Sequence, residues 1–258
     1  MPQMEYKEKI KRAFSRAATT YDKYADLQKE VAIRLLRLIN RKDFSNILEV
    51  GCGTGNFTLI LSRKFPEASI TAVDFSAPMI EVASNKLNGK VRFLLCDGED
   101  LYSECKFDLI TSNATFQWFE NLEKTINNYR NFLEERGLIL FSILGPSTFY
   151  ELKEVFNQTH PDRGINFPSS RFLSLNRLEA ALKRSFKEVK IEEVIFFREY
   201  ENIRELLKTI KYTGENVSVS GSGLFLTPSK IKKLEETYFK KFGGIRASYQ
   251  TFFCLGVR

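Results

Sequence analysis

Apolar residues follow two rhythms along this chain. From Asp26 onward Leu27, Val31, Leu35 and Leu38 recur at three and four residues, one face of a helix, and residues 5–40 read as helical. After that, short apolar runs alternate with helical stretches. The runs Ile47–Val50, Ile70–Val73, Val91–Cys96, Phe107–Thr111, Leu138–Ile143, Val189–Tyr200 and Gln250–Val257 predict strands. Between them, Pro66 closes a helix running to Lys64, and Ser76 with Pro78 opens another that stops at Asn88-Gly89. Further helices are predicted over Leu122–Leu133, from the capping box Thr148/Glu151 to Gln158, and from Ser174 to Arg184. The last two cover 202–211 and the stretch opened by Thr227-Pro228.

Strands alternating with helices predict an α/β fold with a mostly parallel, seven-stranded sheet and helices on both faces. Residues 200–246 are too long for a turn between the last two strands and read as a helical insertion. The expected organisation is a single domain, 1–258: a helical N-terminal lid (5–40), a core (41–199), an inserted helical lid (200–246) and a last strand (247–258). The loops at 161–171 and 214–223 are rich in turn residues.

Composition narrows the classes. With 258 residues, 43% hydrophobic and 23 Phe, the chain supports a substantial core. No apolar run approaches the roughly 20 residues a bilayer span needs, and Met1–Lys9 has no apolar signal segment. A cytoplasmic protein without a membrane role is expected. Cys52, Cys96, Cys105 and Cys254 form no C-x-x-C pair and His160 is the single histidine, so no metal site is expected. The net charge is +7, with basic clusters at Lys7–Arg16, Lys183–Lys190 and Lys230–Arg246. These suit solvated helix faces, and the excess permits an acidic partner, nucleic acid or protein.

The candidate chemistry centres on Asn46-Ile-Leu-Glu-Val-Gly-Cys-Gly-Thr-Gly55. A buried strand, a tight glycine turn and Asp74 at the tip of the next strand describe a nucleotide-like cofactor site at the carboxyl edge of a parallel sheet. A dinucleotide turn wants G-x-G-x-x-G, but position 56 is Asn. Glu49 would also repel a pyrophosphate, while it favours the sulfonium and ammonium of S-adenosylmethionine (AdoMet). Glu-x-Gly-x-Gly-x-Gly resembles the first motif of the Rossmann-like class I AdoMet-dependent methyltransferases. A plain strand-to-helix turn is the alternative.

After the fourth strand stands Ser112-Asn-Ala-Thr-Phe-Gln-Trp-Phe119. It lacks the Asn/Asp-Pro-Pro-aromatic expected for methylating exocyclic amines and has no cysteine to attack a pyrimidine. Asp97 reads as an adenine acceptor or a turn cap, and Trp118 as a pocket wall or core. With no base constellation, a nucleophile already ionised at neutral pH, such as a carboxylate, is favoured. Arg16, Lys208, Lys211 and Arg246 are candidate cations to orient it, or plain surface charges.

Longer motifs go further. Phe14-Ser-Arg-Ala-Ala-x-x-Tyr-Asp-x-Tyr-Ala-x-x-Gln28, Ala72-Val-Asp-Phe75 with Pro78-Met79, and Ser112–Trp118 resemble the biotin-pathway malonyl-[acyl-carrier protein] O-methyltransferases. So do Phe141-Ser-x-x-Gly145 with Thr148-Phe-x-Glu-Leu152, and Leu207–Gly214. The resemblance implies methyl transfer from AdoMet to the free carboxyl of a malonyl thioester on an acidic carrier protein, with malonyl-CoA as another possible acceptor. It implies Tyr21, Tyr24 and Gln28 closing on the cofactor, and Glu49, Gly51, Cys52 and Gly53 at its methionine end. It also implies Asp74 at the ribose, Phe75 and Met79 flanking the ring, and Asp97, Gly98 and Glu99 at the adenine. Tyr21, Asn113 and Gln117 would position the methyl transfer. The malonyl-binding residue does not follow from these motifs, and Arg16, Lys211 and Tyr249 are the candidates to meet the acyl group. Thr213-Gly-Glu215 departs from the Gly-Ala usual there. A methyltransferase for a small free acid or a quinone precursor remains open, as does a non-catalytic AdoMet-binding protein associated with RNA.

Overall fold

The computed structural model describes residues 2–41, 43–160, 167–214 and 227–258. Seven strands form one sheet: β1 (Asn46–Val50), β2 (Ser69–Asp74), β3 (Arg92–Leu95), β4 (Phe107–Asn113), β5 (Leu133–Leu144), β6 (Glu188–Tyr200) and β7 (Ile245–Val257), in the order β3-β2-β1-β4-β5-β7-β6. Pairing is parallel from β3 to β5, and β7 runs antiparallel to both neighbours. The chain order reverses at β1/β4, and the carboxyl ends of those strands open a crevice there.

The strands alternate sides, so each feeds two cores. Ile47, Ile70, Leu109 and Leu140 pack with Leu27, Val31 and Leu35 of α2 (Asp26–Arg37) and Phe57 and Leu61 of α3 (Asn56–Lys64). Their neighbours Leu48, Val73, Ile110 and Ile139 pack with Ile126 and Tyr129 of α5 (Leu122–Phe132) and Leu178 and Leu182 of α7 (Leu175–Ser185). The helices on both faces are therefore as expected. α4 (Ala77–Leu87) starts where Ser76 caps Met79 N and ends on a left-handed Asn88. α1 (Pro2–Ala17) precedes α2. α8 (Ile203–Tyr212) and α9 (Pro228–Phe242) lie between β6 and β7.

The structure corrects three local expectations. Thr148 and Glu151 form no capping box: α6 (Tyr150–Thr159) starts after a left-handed Phe149 with no side-chain cap. Glu151 is instead buried against β7, accepting from Ser248 N (2.8 Å) and Ser248 Oγ (2.6 Å). β7 begins at Ile245 rather than Gln250, because β6 pairs with it as far as Tyr200↔Ile245. β5 begins at Leu133, where a register irregularity absorbs the polar Glu134–Arg136 stretch that reads as a turn. Positions 161–166 and 215–223 of the two expected loops, and Glu215, lie outside the described residues. Among the described residues no helix is long and apolar enough to cross a membrane.

Candidate active site

The glycine turn is braced on the tip of β2. Gly51 N and Cys52 N both donate to Val73 O (2.7 and 3.0 Å), and Gly53 N donates to Asp74 Oδ2 (2.9 Å). Gly51 has a φ of +75°, and a Cβ there would sit 2.2 Å from Thr115 Cγ2, so only glycine fits. Gly53, at φ +52°, would meet nothing within 4 Å and faces open space. Asp74 also accepts from Ser76 N (2.9 Å). Burial pushes its carboxyl up to about 6, with the amides of Ser76, Gly53 and Phe75 limiting the rise.

Glu49 is more extreme. It is 1% exposed, and its Oε2 has no hydrogen-bond partner among the described residues. Burial raises its pKa to about 8; the nearby Thr58 hydroxyl, without a well-formed hydrogen bond, works against the rise, and the charge on Asp74 adds to it. An orphaned buried carboxylate beside such a turn lacks a cation. That fits the ammonium and sulfonium of AdoMet and opposes a phosphate, so the residues present suit this cofactor.

A cavity opens on the turn. Gly51, Cys52, Gly53 and Asp74 line it from the first two strands, Phe75 and Met79 from the start of α4, and Asp97 and Gly98 from beyond β3. Asn113, Thr115 and Trp118 line it after β4, and Tyr21 and Gln28 from the N-terminal segment. The cofactor residues expected from sequence are thus largely brought together, and Trp118 is both wall and core at 7% exposure. Asp97 also caps the following turn, accepting from Glu99 N at 3.0 Å.

Other expected residues lie elsewhere. Glu49 stands behind the turn and does not line the cavity. Glu99 turns away to accept from Glu120 N (3.0 Å) and Asn121 N (2.8 Å). Gln117 is buried under the loop, donating to Ala114 O (2.8 Å). Asn113 does line the cavity but spends its amide on structure, donating to Gln28 O (3.0 Å) and accepting from Ser142 Oγ (2.8 Å). Tyr24 and Tyr249 line a second cavity, together with Gln28. Arg16, Lys208, Lys211 and Arg246 are exposed and line neither.

Sequence reasoning missed the charged ties that hold the N-terminal segment over the cofactor cavity. Lys7 of α1 reaches Asp97 (2.5 Å) and Glu99 (2.7 Å). Burial alone would lower the Lys7 pKa, but these two carboxylates outweigh it and raise the value. Asp22, in the single turn Tyr21–Lys23, accepts from Thr54 Oγ1 (2.5 Å), Asn56 Nδ2 (2.8 Å) and Lys86 Nζ (2.9 Å). Its burial is likewise outweighed by these bonds, which hold its carboxyl below the usual range. The available signal was the Tyr-Asp-x-Tyr motif itself, but nothing in its spacing says what the aspartate meets.

Comparison with known proteins identifies the group. Residues 47–137 match the model of a methyltransferase domain family. Malonyl-[acyl-carrier protein] O-methyltransferase 1 of Ilyobacter polytropus is 36% identical over 240 residues, covering 92% of this chain and 88% of its own length. The protein of that name from Bacillus anthracis is 36% identical over 255 residues, covering 95% and 94%. The chain belongs to the malonyl-[acyl-carrier protein] O-methyltransferase family. Membership extends through both the N-terminal segment and the insertion, since the aligned length is nearly the whole chain. The crystal structure of the YcgJ protein of Bacillus subtilis has the same fold at a TM-score of 0.63 and 16% identity, covering 89% of this chain and 98% of its own.

Proposed function

We propose that this chain transfers a methyl group from AdoMet to the free carboxylate of a malonyl thioester on acyl carrier protein. The observation that carries the reading is the end-to-end similarity to enzymes so named, including the segments outside the cofactor core. A cytoplasmic setting suits a carrier-protein substrate and four free cysteines.

AdoMet, when bound, supplies an electrophilic methyl on a sulfonium that becomes a neutral thioether as the methyl–sulfur electron pair returns to sulfur. The acceptor carboxylate oxygen forms the new C–O bond, and no proton moves. This chain's residues therefore bind, align and exclude water. Gly51, Cys52 and Gly53 would wall the methionine end, and Glu49, buried behind the turn, would supply negative charge across it once the cofactor's cations draw off its proton. Asp74 would hold the ribose hydroxyls, Asp97 and Gly98 the adenine, and Phe75 and Met79 its ring, since all five line the cavity. Tyr21 and Gln28 roof the methyl side, with Asn113 holding Gln28 in place. The N-terminal helical segment acts as a lid and the inserted segment walls the other side, so that together they sequester the reaction. The job of the reaction centre is thus positioning, and Gln117 serves it indirectly by holding the Ala114 loop.

The test is to incubate the purified chain with AdoMet and malonyl-carrier protein and examine the acyl arm by mass spectrometry. A malonyl methyl ester is expected. Unchanged malonyl-carrier protein would overturn the reading, and turnover confined to malonyl-CoA or to small free acids would replace the acceptor.

A further inference from the structure

A second cavity of about 230 Å³ lies beside the first. Tyr24, Leu27 and Gln28 line it from the N-terminal segment, Arg198 and Tyr200 from the end of β6, and Tyr249 from β7. Thr209 and Thr213 close it from α8 and just beyond. Gln28 also lines the cofactor cavity, so one side chain borders both spaces. The lining also carries hydroxyls: Tyr200 and Tyr249 meet oxygen to oxygen at 2.8 Å, and Tyr249 is only 3% exposed. Tyr24, on the near side, is stacked on Tyr212 of α8 (centroids 4.8 Å apart, planes at 15°).

The charge pattern separates the interior from the rim. Lys23, Asp26, Glu199 and Glu205 contribute charge, and Arg198 is already committed to Glu30 and to Phe197 O. Lys23 stands exposed at the rim, so among the described residues the interior holds no cation to bind a phosphate or a free dicarboxylate. The interior offers aromatic faces, hydroxyls and one apolar side chain, which is a lining for a neutral chain carrying amides and a thioester.

We propose that this cavity takes the acyl-thioester end of a pantetheine-type arm, entering between the two helical segments and passing its terminal carboxylate by Gln28 toward the methyl donor. The proposal rests on the carrier-protein reading above. Gln28 is then the residue that faces cofactor on one side and acceptor on the other. Tyr249 and Tyr200 are the hydroxyls that meet the arm. Two-sided placement by Gln28 also accounts for why Asn113 fixes its backbone carbonyl rather than reaching the acceptor itself.

The experiment uses the full chain loaded with S-adenosylhomocysteine and malonyl-pantetheine as the probe, with binding read by calorimetry. Thr209→Trp fills the cavity from a half-buried position on α8. It should weaken the probe at least tenfold and leave S-adenosylhomocysteine affinity unchanged. Tyr249→Phe, which keeps the ring, should weaken the probe several-fold and raise the acceptor KM while leaving the AdoMet KM in place. The proposal is overturned if wild type does not bind the probe, if both variants bind it like wild type, or if the loss of probe follows an equal loss of S-adenosylhomocysteine. The two ideas fail separately. Probe binding lost in Thr209→Trp, with no methyl ester formed by wild type on malonyl-carrier protein, keeps the cavity and sinks the function. Methyl ester formed equally well by wild type and Thr209→Trp keeps the function and sinks the cavity.

Discussion

The N-terminal segment and the inserted segment both border the reaction space, yet they are held by different forces. In the first, α2 packs into the main core through Leu27, Val31 and Leu35. The part ahead of it, α1 and the Tyr21–Lys23 turn, has only a small apolar contact around Ile10 and is tied down by polar contacts at both ends of the cofactor cavity. Lys7 meets Asp97 and Glu99 at one end, and Asp22 meets Thr54, Asn56 and Lys86 at the other. Ser15 and Ser76 add a hydroxyl pair at 2.8 Å between them. The second is held by apolar burial: Ile203, Leu206 and Ile210 of α8 and Ile231, Leu234 and Tyr238 of α9 join the main core. The two meet where Tyr24 stacks on Tyr212 and where Phe14 closes on Gly214, whose added Cβ would lie 2.6 Å from the Phe14 ring. Ion pairs break at little cost when solvent enters, whereas a buried apolar face does not. On the reading proposed above, this contrast leaves opening and closing over the cofactor to α1 and the Tyr21–Lys23 turn, with the insertion as a fixed wall.

Breaking the apolar side should have the largest effect. Leu234→Ala leaves a hole at a fully buried position and should cost about 3 kcal/mol of stability. Chemical denaturation should show this loss, with AdoMet affinity in the folded fraction unchanged. Equal losses in stability and affinity would erase the distinction between the segments. Next come the polar ties. Lys7→Met and Asp22→Asn should each weaken AdoMet by roughly tenfold by calorimetry, mainly through faster release, while thermal stability moves little. Asp22→Glu should recover part of the affinity. A large drop in melting temperature with unchanged release would show that the ties serve folding rather than closure.

A smaller effect is expected from protons. Glu49 is held up to about 8 by burial, so at pH 7 it is mostly protonated in the free protein. A cation seated in the cavity, across the glycine turn from it, lowers that pKa again, and up to about one proton is released on binding. Calorimetry in buffers of different ionisation enthalpy should detect this release, and affinity should rise with pH until about 8. Glu49→Gln should abolish both. The linkage has a stability counterpart with a definite sign. A carboxyl whose folded pKa is raised makes the fold less stable as pH climbs from about 4.5 to 8, because the unfolded chain gives up its proton first. Asp74, raised to about 6, acts in the same direction over a narrower window. The smallest expected effect is none at all. With both substrates saturating, kcat should be flat from pH 7 to 9, since the acceptor carboxylate is already ionised. A kcat rising tenfold per pH unit would indicate a protonated nucleophile, such as a phenol.

The parts legible in the sequence were those with a period or a fixed turn chemistry. The strand-glycine-strand unit, the Ser76 cap and the left-handed stop at Asn88 all follow from short-range rules, and the structure has each of them. The ties of the N-terminal segment were not legible. Lys7 reads as part of a solvated basic cluster and Asp22 only as a motif position, and the approach of distant chain segments is what gives them partners, Asp97 and Glu99 for Lys7 and Lys86 for Asp22. Glu151 misled for the same reason: Thr148-x-x-Glu is a valid local capping box, but burial against Ser248 of β7 outweighed it. The start of β7 was hidden because Ile245-Arg-Ala-Ser-Tyr249 gains its strand character from pairing with β6 rather than from an apolar run. Among the site residues, proximity in sequence to the glycine turn located the cofactor wall. The second cavity, assembled from α2, α8, β6 and β7, had no local signature.

The most direct measurement is a comparison of acceptors under one set of conditions: kcat/KM with AdoMet for malonyl-carrier protein, malonyl-CoA, free malonate and a phenolic quinone precursor. A carrier-linked malonyl carboxylate should be preferred by at least tenfold over free malonate, with the product a methyl ester and the phenol inert. Equal rates on free malonate, or methylation of the phenol alone, would contradict the account.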